Sequence, residues 1–137
     1  NNVDIYDVAL SDVEGTSEMT VPFKNSGMST LNYHEYVPND YIKQDVQTKT
    51  LDSYDFDKID FIKIDVEEHE YNVLRGAQKT IEKYKPIIYI ELNDLHATVF
   101  IAALNIGYKL IGQCGMNRLF KCNTVVEDLQ ELLKTQK

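Results

Sequence analysis

Apolar and polar positions change rhythm along this chain near Ile59. Upstream, short alternating stretches stand between polar turns. Val3 to Ala9 predicts a strand closed by the turn "SDVEGTSE", and Ser17 to Phe23 predicts a second. Lys24 to Asp40, with Gly27, Pro38 and several Ser and Asn, predicts a long loop of the kind that often carries function. Tyr41 to Thr50 alternates weakly, like an edge strand, and "LDSYDFDK" predicts a polar connection with one helical turn.

Downstream the period lengthens. "IDFIKID" predicts a short strand, with Ile62 and Ile64 supplying β-branched bulk. Val73, Leu74, Ala77, Ile81 and Tyr84 share one face of a helix predicted over Glu67 to Tyr84, which Pro86 ends. The apolar run in "IIYIEL" predicts a strand covered on both faces. A helix is predicted over Asp94 to Asn105, closed by Gly107. "YKLIGQ" and "NRLFKC" predict strands joined by a turn around Gly115 and Asn117. "TVVEDLQELLKTQ" predicts a terminal amphipathic helix capped by Thr124, with Glu127 three residues on. Alternating strands and helices imply right-handed crossovers, hence an α/β fold with a mostly parallel sheet and an antiparallel C-terminal hairpin.

Composition narrows the partners. A chain of 137 residues with 43% hydrophobic content suits a single domain, 1–137. The formal charge of −8 argues against nucleic acid and against an anionic membrane surface. No apolar run is long enough for a membrane-spanning helix, and no leader pattern opens the sequence. A cytoplasmic protein is expected, with Cys114 and Cys122 reduced unless a hairpin brings them face to face.

Carboxylates gather where the first downstream strand gives way to its helix. Asp65, Glu67, Glu68 and Glu70 surround His69 within six positions. In open α/β sheets ligands sit beyond the carboxyl ends of the strands, and Glu91 ends the next strand, beside Asp65. On one reading, Asp65 caps the helix and the glutamates occupy its first turn, where negative charge is favoured. On the other, Asp65, Glu67 and Glu91 line a crevice and accept hydrogen bonds from a polar or cationic ligand. His69 is a candidate base near neutral pH. Asp65, Glu67, His69 and Glu91 together would suit a hard cation. No metal-ligand signature accompanies them, and no metal is expected.

"IDFIKIDVEEHEYNVLRGAQKTI", followed by "KPIIYIEL", resembles the FkbM-type methyltransferase family, whose pattern is a lysine, an apolar residue, Asp-Val-Glu-Gly and then a helix with Leu-x-Gly-Ala. "VALSDVEGT", "SGMSTL" and "TLDSY" match further family segments in the same order, so the likeness runs to about Leu110. Glu68 stands where the family usually has glycine. The resemblance implies a Rossmann-like, S-adenosylmethionine-dependent methyltransferase acting on a hydroxyl of a small molecule or sugar. It places Asp65 and Glu67 in the segment flanking cofactor and substrate and Leu10 and Ser11 near the adenine; with His69 from the residue reading, the expected catalytic residues are Asp65, Glu67 and His69, and the expected cofactor contacts are Leu10, Ser11, Asp65 and Val66. It places Ser26, Met28 and Ser29 on the substrate side, where the crevice reading adds Glu91.

The family begins with a strand and a glycine-rich loop for the cofactor, yet no Gly-x-Gly occurs in these 137 residues. The chain is therefore expected to be the C-terminal portion of the family domain. The absent strands would leave a sheet edge open, to be covered by a homodimer contact or a partner chain. The alternatives are a non-catalytic methyltransferase-fold binding or assembly module, and a small α/β domain with a different ligand.

Overall fold

The computed structural model describes residues 2–24, 26–31, 41–92, 101 and 107–123. They form two sheets and two short helices. The first sheet has the order β1-β3-β2, from β1 (Ala9–Leu10), β2 (Gly15–Pro22) and β3 (Tyr41–Lys49). The second has the order β4-β5-β7-β6, from β4 (Phe61–Ile64), β5 (Ile87–Glu91), β6 (Tyr108–Cys114) and β7 (Asn117–Cys122). Between β4 and β5 lie α1 (Glu70–Arg75) and α2 (Gln78–Tyr84).

β4 and β5 run parallel, with Ile62 opposite Ile88 and Ile64 opposite Ile90. Because side chains alternate along a strand, these four isoleucines share one face. Ile64, Ile88 and Ile90 are buried there with Val73 and Leu74 of α1, Ile81 of α2, Ala77 between the helices and Phe120 of β7. Burying each large aliphatic side chain contributes about 1.5–3 kcal/mol. On the opposite face Phe61 remains 54% exposed.

Several expectations are corrected. The sheets are not mostly parallel: β1/β3 and β4/β5 are parallel, whereas β2/β3, β5/β7 and β6/β7 are antiparallel. β3 is central rather than an edge, because it pairs with β1 on one side and β2 on the other. The first strand is only Ala9–Leu10, and Val3 and Ile5 are exposed. "IIYIEL" is not buried on both faces, since Ile88 and Ile90 are buried but Ile87, Tyr89 and Glu91 only half so. The single helix predicted from Glu67 starts at Glu70 and breaks at Gly76–Ala77 into α1 and α2. His69, not Asp65, occupies the N-cap position of α1. Asp52, far away in sequence, caps α2 by accepting the Lys79 and Thr80 backbone N–H groups at 3.0 and 2.8 Å.

The β6–β7 hairpin turns at Gly115–Met116 as expected. Its register sets Cys114 opposite Asn117 and Cys122 opposite Tyr108, so the two cysteines stand at opposite ends and cannot bridge within the chain. The terminal helix and all of the Asp94–Asn105 helix except Ile101, which is helical and buried, lie outside the described residues. No helix among the described residues is long and apolar enough to cross a membrane.

The helix break meets the first sheet at close quarters. A β-carbon on Gly76 would sit 1.9 Å from the Ser11 carbonyl oxygen, so only glycine allows the two backbones to touch. Gly76→Ala should therefore destabilise the chain by about 2–3 kcal/mol, measured as a lowered urea midpoint. A midpoint equal to the parent's would mean that this approach does not position the two sheets.

Candidate functional site

A cavity of about 780 Å³ lies between the two sheets. Every residue from Lys58 to Val66 lines it, as do Val8, Ala9 and Leu10. Successive strand residues point to opposite faces, so a cavity touching them all runs along the strand edge. Among the described residues, β4 pairs only with β5 and β1 only with β3, which leaves the other edge of each strand without a neighbour. Leu51, Phe56 and Met19 add apolar wall, and Ser29, Asp65, Val66 and His69 also line the cavity.

The elements around the cavity are joined by a polar latch. Ser11 Oγ lies 2.9 Å from His69 Nε2 and donates to Asp12 Oδ1 at 3.2 Å. With that hydroxyl proton directed at ionised Asp12, the serine oxygen is left to accept from the Nε2–H tautomer of His69. Asp12 also accepts from Asn72 Nδ2 at 3.0 Å and pairs with Arg75 at 3.2 Å. Burial alone would raise the Asp12 carboxyl. Hydrogen bonds from Asn72, its own backbone and Ser11, together with the Arg75 charge, hold it below its ordinary value. Burial lowers the His69 imidazole from its ordinary 6.5, and the Asp12 charge only partly opposes this.

The acidic residues form a second group at the carboxyl ends of β4 and β5. One carboxylate oxygen from each of Asp65, Glu67 and Glu91 lies within 4.8 Å of the others. Lys63 donates to Asp65, which lowers the Asp65 carboxyl, helped by a hydrogen bond shared with Glu91. The same hydrogen bond raises Glu91, reinforced by the neighbouring acidic charges. The two adjacent carboxyls are therefore driven apart in acidity, with Asp65 the stronger acid and Glu91 the weaker.

The turn carrying Glu67 is unusual. Glu67 and Glu68 have φ of 47° and 70°, left-handed values that favour glycine. Thr30 Oγ1 donates to the Glu67 carbonyl at 2.6 Å, and the Glu68 N–H donates to Glu70 Oε1 at 3.2 Å. Glu70 is fully buried, and its Oε2 has no hydrogen-bond partner. Burial raises its carboxyl against the pull of nearby backbone N–H groups.

Of the residues expected at the site, Leu10, Ser29, Asp65, Val66 and His69 line the cavity, and Ser11 is bonded to His69. Glu67 and Glu91 join Asp65 in the acidic group. Ser26 and Met28 stand exposed on a short 3-10 turn and do not line the cavity. Asp12 and Thr30 were not singled out by sequence, and Glu70 was read there only as a first-turn helix residue. Asp12 follows Ser11 directly, but its bonds to Asn72 and Arg75 span about sixty positions and have no local signature.

Residues 1–126 match the model of the methyltransferase FkbM domain. The chain belongs to that family. A crystal structure of methyltransferase FkbM from Methylobacillus flagellatus KT is similar, with 20% identity and a TM-score of 0.53. The likeness covers 86% of this chain and 28% of that one, so the FkbM chain here spans little over a quarter of its structural relative. At that identity the likeness concerns the fold. No curated protein matches.

Neutral His69 is favoured in the folded state. Below pH 6.5 the unfolded chain binds the proton first, so stability falls with pH until the folded imidazole also titrates. Urea unfolding between pH 7.5 and 5.5 should show a larger loss for the parent than for His69→Gln. The carboxyls titrate in both proteins, so the difference isolates the imidazole; equal losses would refute the assignment.

Proposed function

We propose that this FkbM-family chain is part of an S-adenosylmethionine-dependent methyltransferase acting on a hydroxyl of a small molecule or sugar. The observation that carries the reading is the carboxyl-end mouth of the cavity, where Leu10 and Val66 stand with Asp65 and His69. Its volume lies within the usual range for a drug-sized ligand. The apolar walls of Leu10, Leu51 and Phe56 suit a flat adenine ring, and Asp65 suits the ribose hydroxyls or cationic groups of the cofactor. These residues fit the group. When bound, it would supply a methyl carbon open to attack. The protein's own work is then to hold the acceptor in line and exclude water, with a carboxylate of the Asp65–Glu91 pair taking the hydroxyl proton.

The rest of the cavity follows the edge of β4 that has no neighbouring strand among the described residues. We assign it to a polypeptide strand from a second copy or a partner chain, since an open, partly apolar edge readily pairs. Light scattering at low micromolar concentration should report self-association. A clean monomer would count against the second copy.

Calorimetric titration tests the cofactor. Micromolar binding of S-adenosylmethionine and S-adenosylhomocysteine is expected. Asp65→Asn should weaken it about tenfold or more, a change of about 1.4 kcal/mol, with little change in melting temperature. Silence at millimolar ligand would reject the reading and favour the non-catalytic module.

A further inference from the structure

We infer that Thr30 and Glu70 are positioning residues: together they lock the peptide group between Glu67 and Glu68, and that group sets how the turn after β4 presents Asp65, Val66 and Glu67 at the cavity mouth. The inference deepens the methyltransferase reading and rests on it for what the mouth binds. The lock itself is read without any ligand.

Two bonds meet on one peptide plane. Thr30 Oγ1 donates to the Glu67 carbonyl at 2.6 Å, and the Glu68 N–H donates to Glu70 Oε1 at 3.2 Å. That oxygen and that nitrogen belong to a single peptide group, which is rigid and planar. Gripping it at both ends fixes ψ of Glu67 and φ of Glu68. Glutamate has no intrinsic preference for left-handed φ values of 47° and 70°, so contacts from outside the turn must hold them. Were the peptide released, Glu67 would leave the place where its carboxylate lies within 4.8 Å of those of Asp65 and Glu91.

Both anchors are buried, and they reach the turn from different parts of the fold. Thr30 is bridged to Thr20 of β2, in the first sheet, and Glu70 is the first residue of α1. The peptide is therefore held by both bodies that bound the cavity.

Glu70 is an expensive way to fill space. A fully buried carboxyl is unfavourable, and an aliphatic side chain of similar size would avoid that penalty. The backbone N–H groups that favour its ionised form are those of Val66, Glu68 and Glu70 itself, all from the turn it closes. Its Oε2 has no hydrogen-bond partner, so the hold runs through Oε1. Burial raises the carboxyl toward its neutral form, and a neutral acid keeps the carbonyl oxygen that the Glu68 N–H needs. Glu70 thus acts as an acceptor rather than as a charge, and glutamine can replace it.

Hydrogen exchange at the Glu68 amide, read by NMR, tests the lock. In the parent this amide should exchange about tenfold or more slower than an unprotected one. Glu70→Leu and Thr30→Val each remove one anchor at similar size. Each should speed the Glu68 amide about tenfold or more while the amides of β5 keep their parental rates, a local change that a loss of overall stability would not give. Glu70→Gln should keep exchange slow. Titration with S-adenosylhomocysteine reads the consequence at the mouth. Affinity should fall about tenfold or more in Glu70→Leu and Thr30→Val, and stay within about threefold of the parent in Glu70→Gln. An unprotected Glu68 amide in the parent would overturn the inference even if the variants failed to fold. So would parental exchange in Glu70→Leu and Thr30→Val, fast exchange in Glu70→Gln, or a loosened turn that binds S-adenosylhomocysteine as tightly as the parent. A parent silent toward S-adenosylhomocysteine would reject the cofactor reading instead, and the exchange rates would still decide the lock.

Discussion

Ile62 and Ile64 lie level with Ile88 and Ile90, and the rest of the site follows from that parallel pairing. It buries one isoleucine face under α1 and α2. It also fixes where both strands end. Asp65 and Glu91 become neighbours because each follows, or ends, a strand in the same register. Like charges so close are unfavourable, and the Lys63 ammonium on Asp65 offsets part of that repulsion. Slipping β4 by one residue would turn Ile64 out of the core and carry Asp65 to the other face.

Among the described residues, the first sheet meets this core through the packing of Leu10 and through polar bonds at the cavity's rim. Ser11 and Asp12 reach His69, Asn72 and Arg75; Thr30 reaches the Glu67 carbonyl. Gly76 lies against the Ser11 backbone, and Asp52 caps α2. Each group comes from a loop or helix end beside the cavity, and none crosses it. Among the described residues the cavity is therefore bounded by two β edges clamped at their ends.

Sequence patterning made the second sheet legible because its elements are strongly periodic. Ile62, Ile64, Ile88 and Ile90 mark their strands, and Val73, Leu74, Ala77 and Ile81 mark the buried helix face. The level ends of Asp65 and Glu91 followed directly from the strand–helix–strand order. The first sheet was harder. β3 alternates as an exposed strand does, yet it is central, because its sheet is open to solvent and burial does not reveal position. The start of α1 was misplaced because acidic residues suit a helix's first turn, whereas Glu67 and Glu68 adopt left-handed backbone that only tertiary contacts hold. The Ser11–His69 bond joins two residues that were marked separately. Their separation of 58 positions explains why no local pattern linked them.

The successive left-handed residues at Glu67 and Glu68 have a further effect. A glycine at position 68 would let this turn sample many shapes, and a ligand would have to select one. Glutamate narrows that choice, and the bonds from Thr30 and to Glu70 narrow it again. The three carboxylates therefore stand in their convergent arrangement before anything arrives, and little ordering entropy remains to be lost on association.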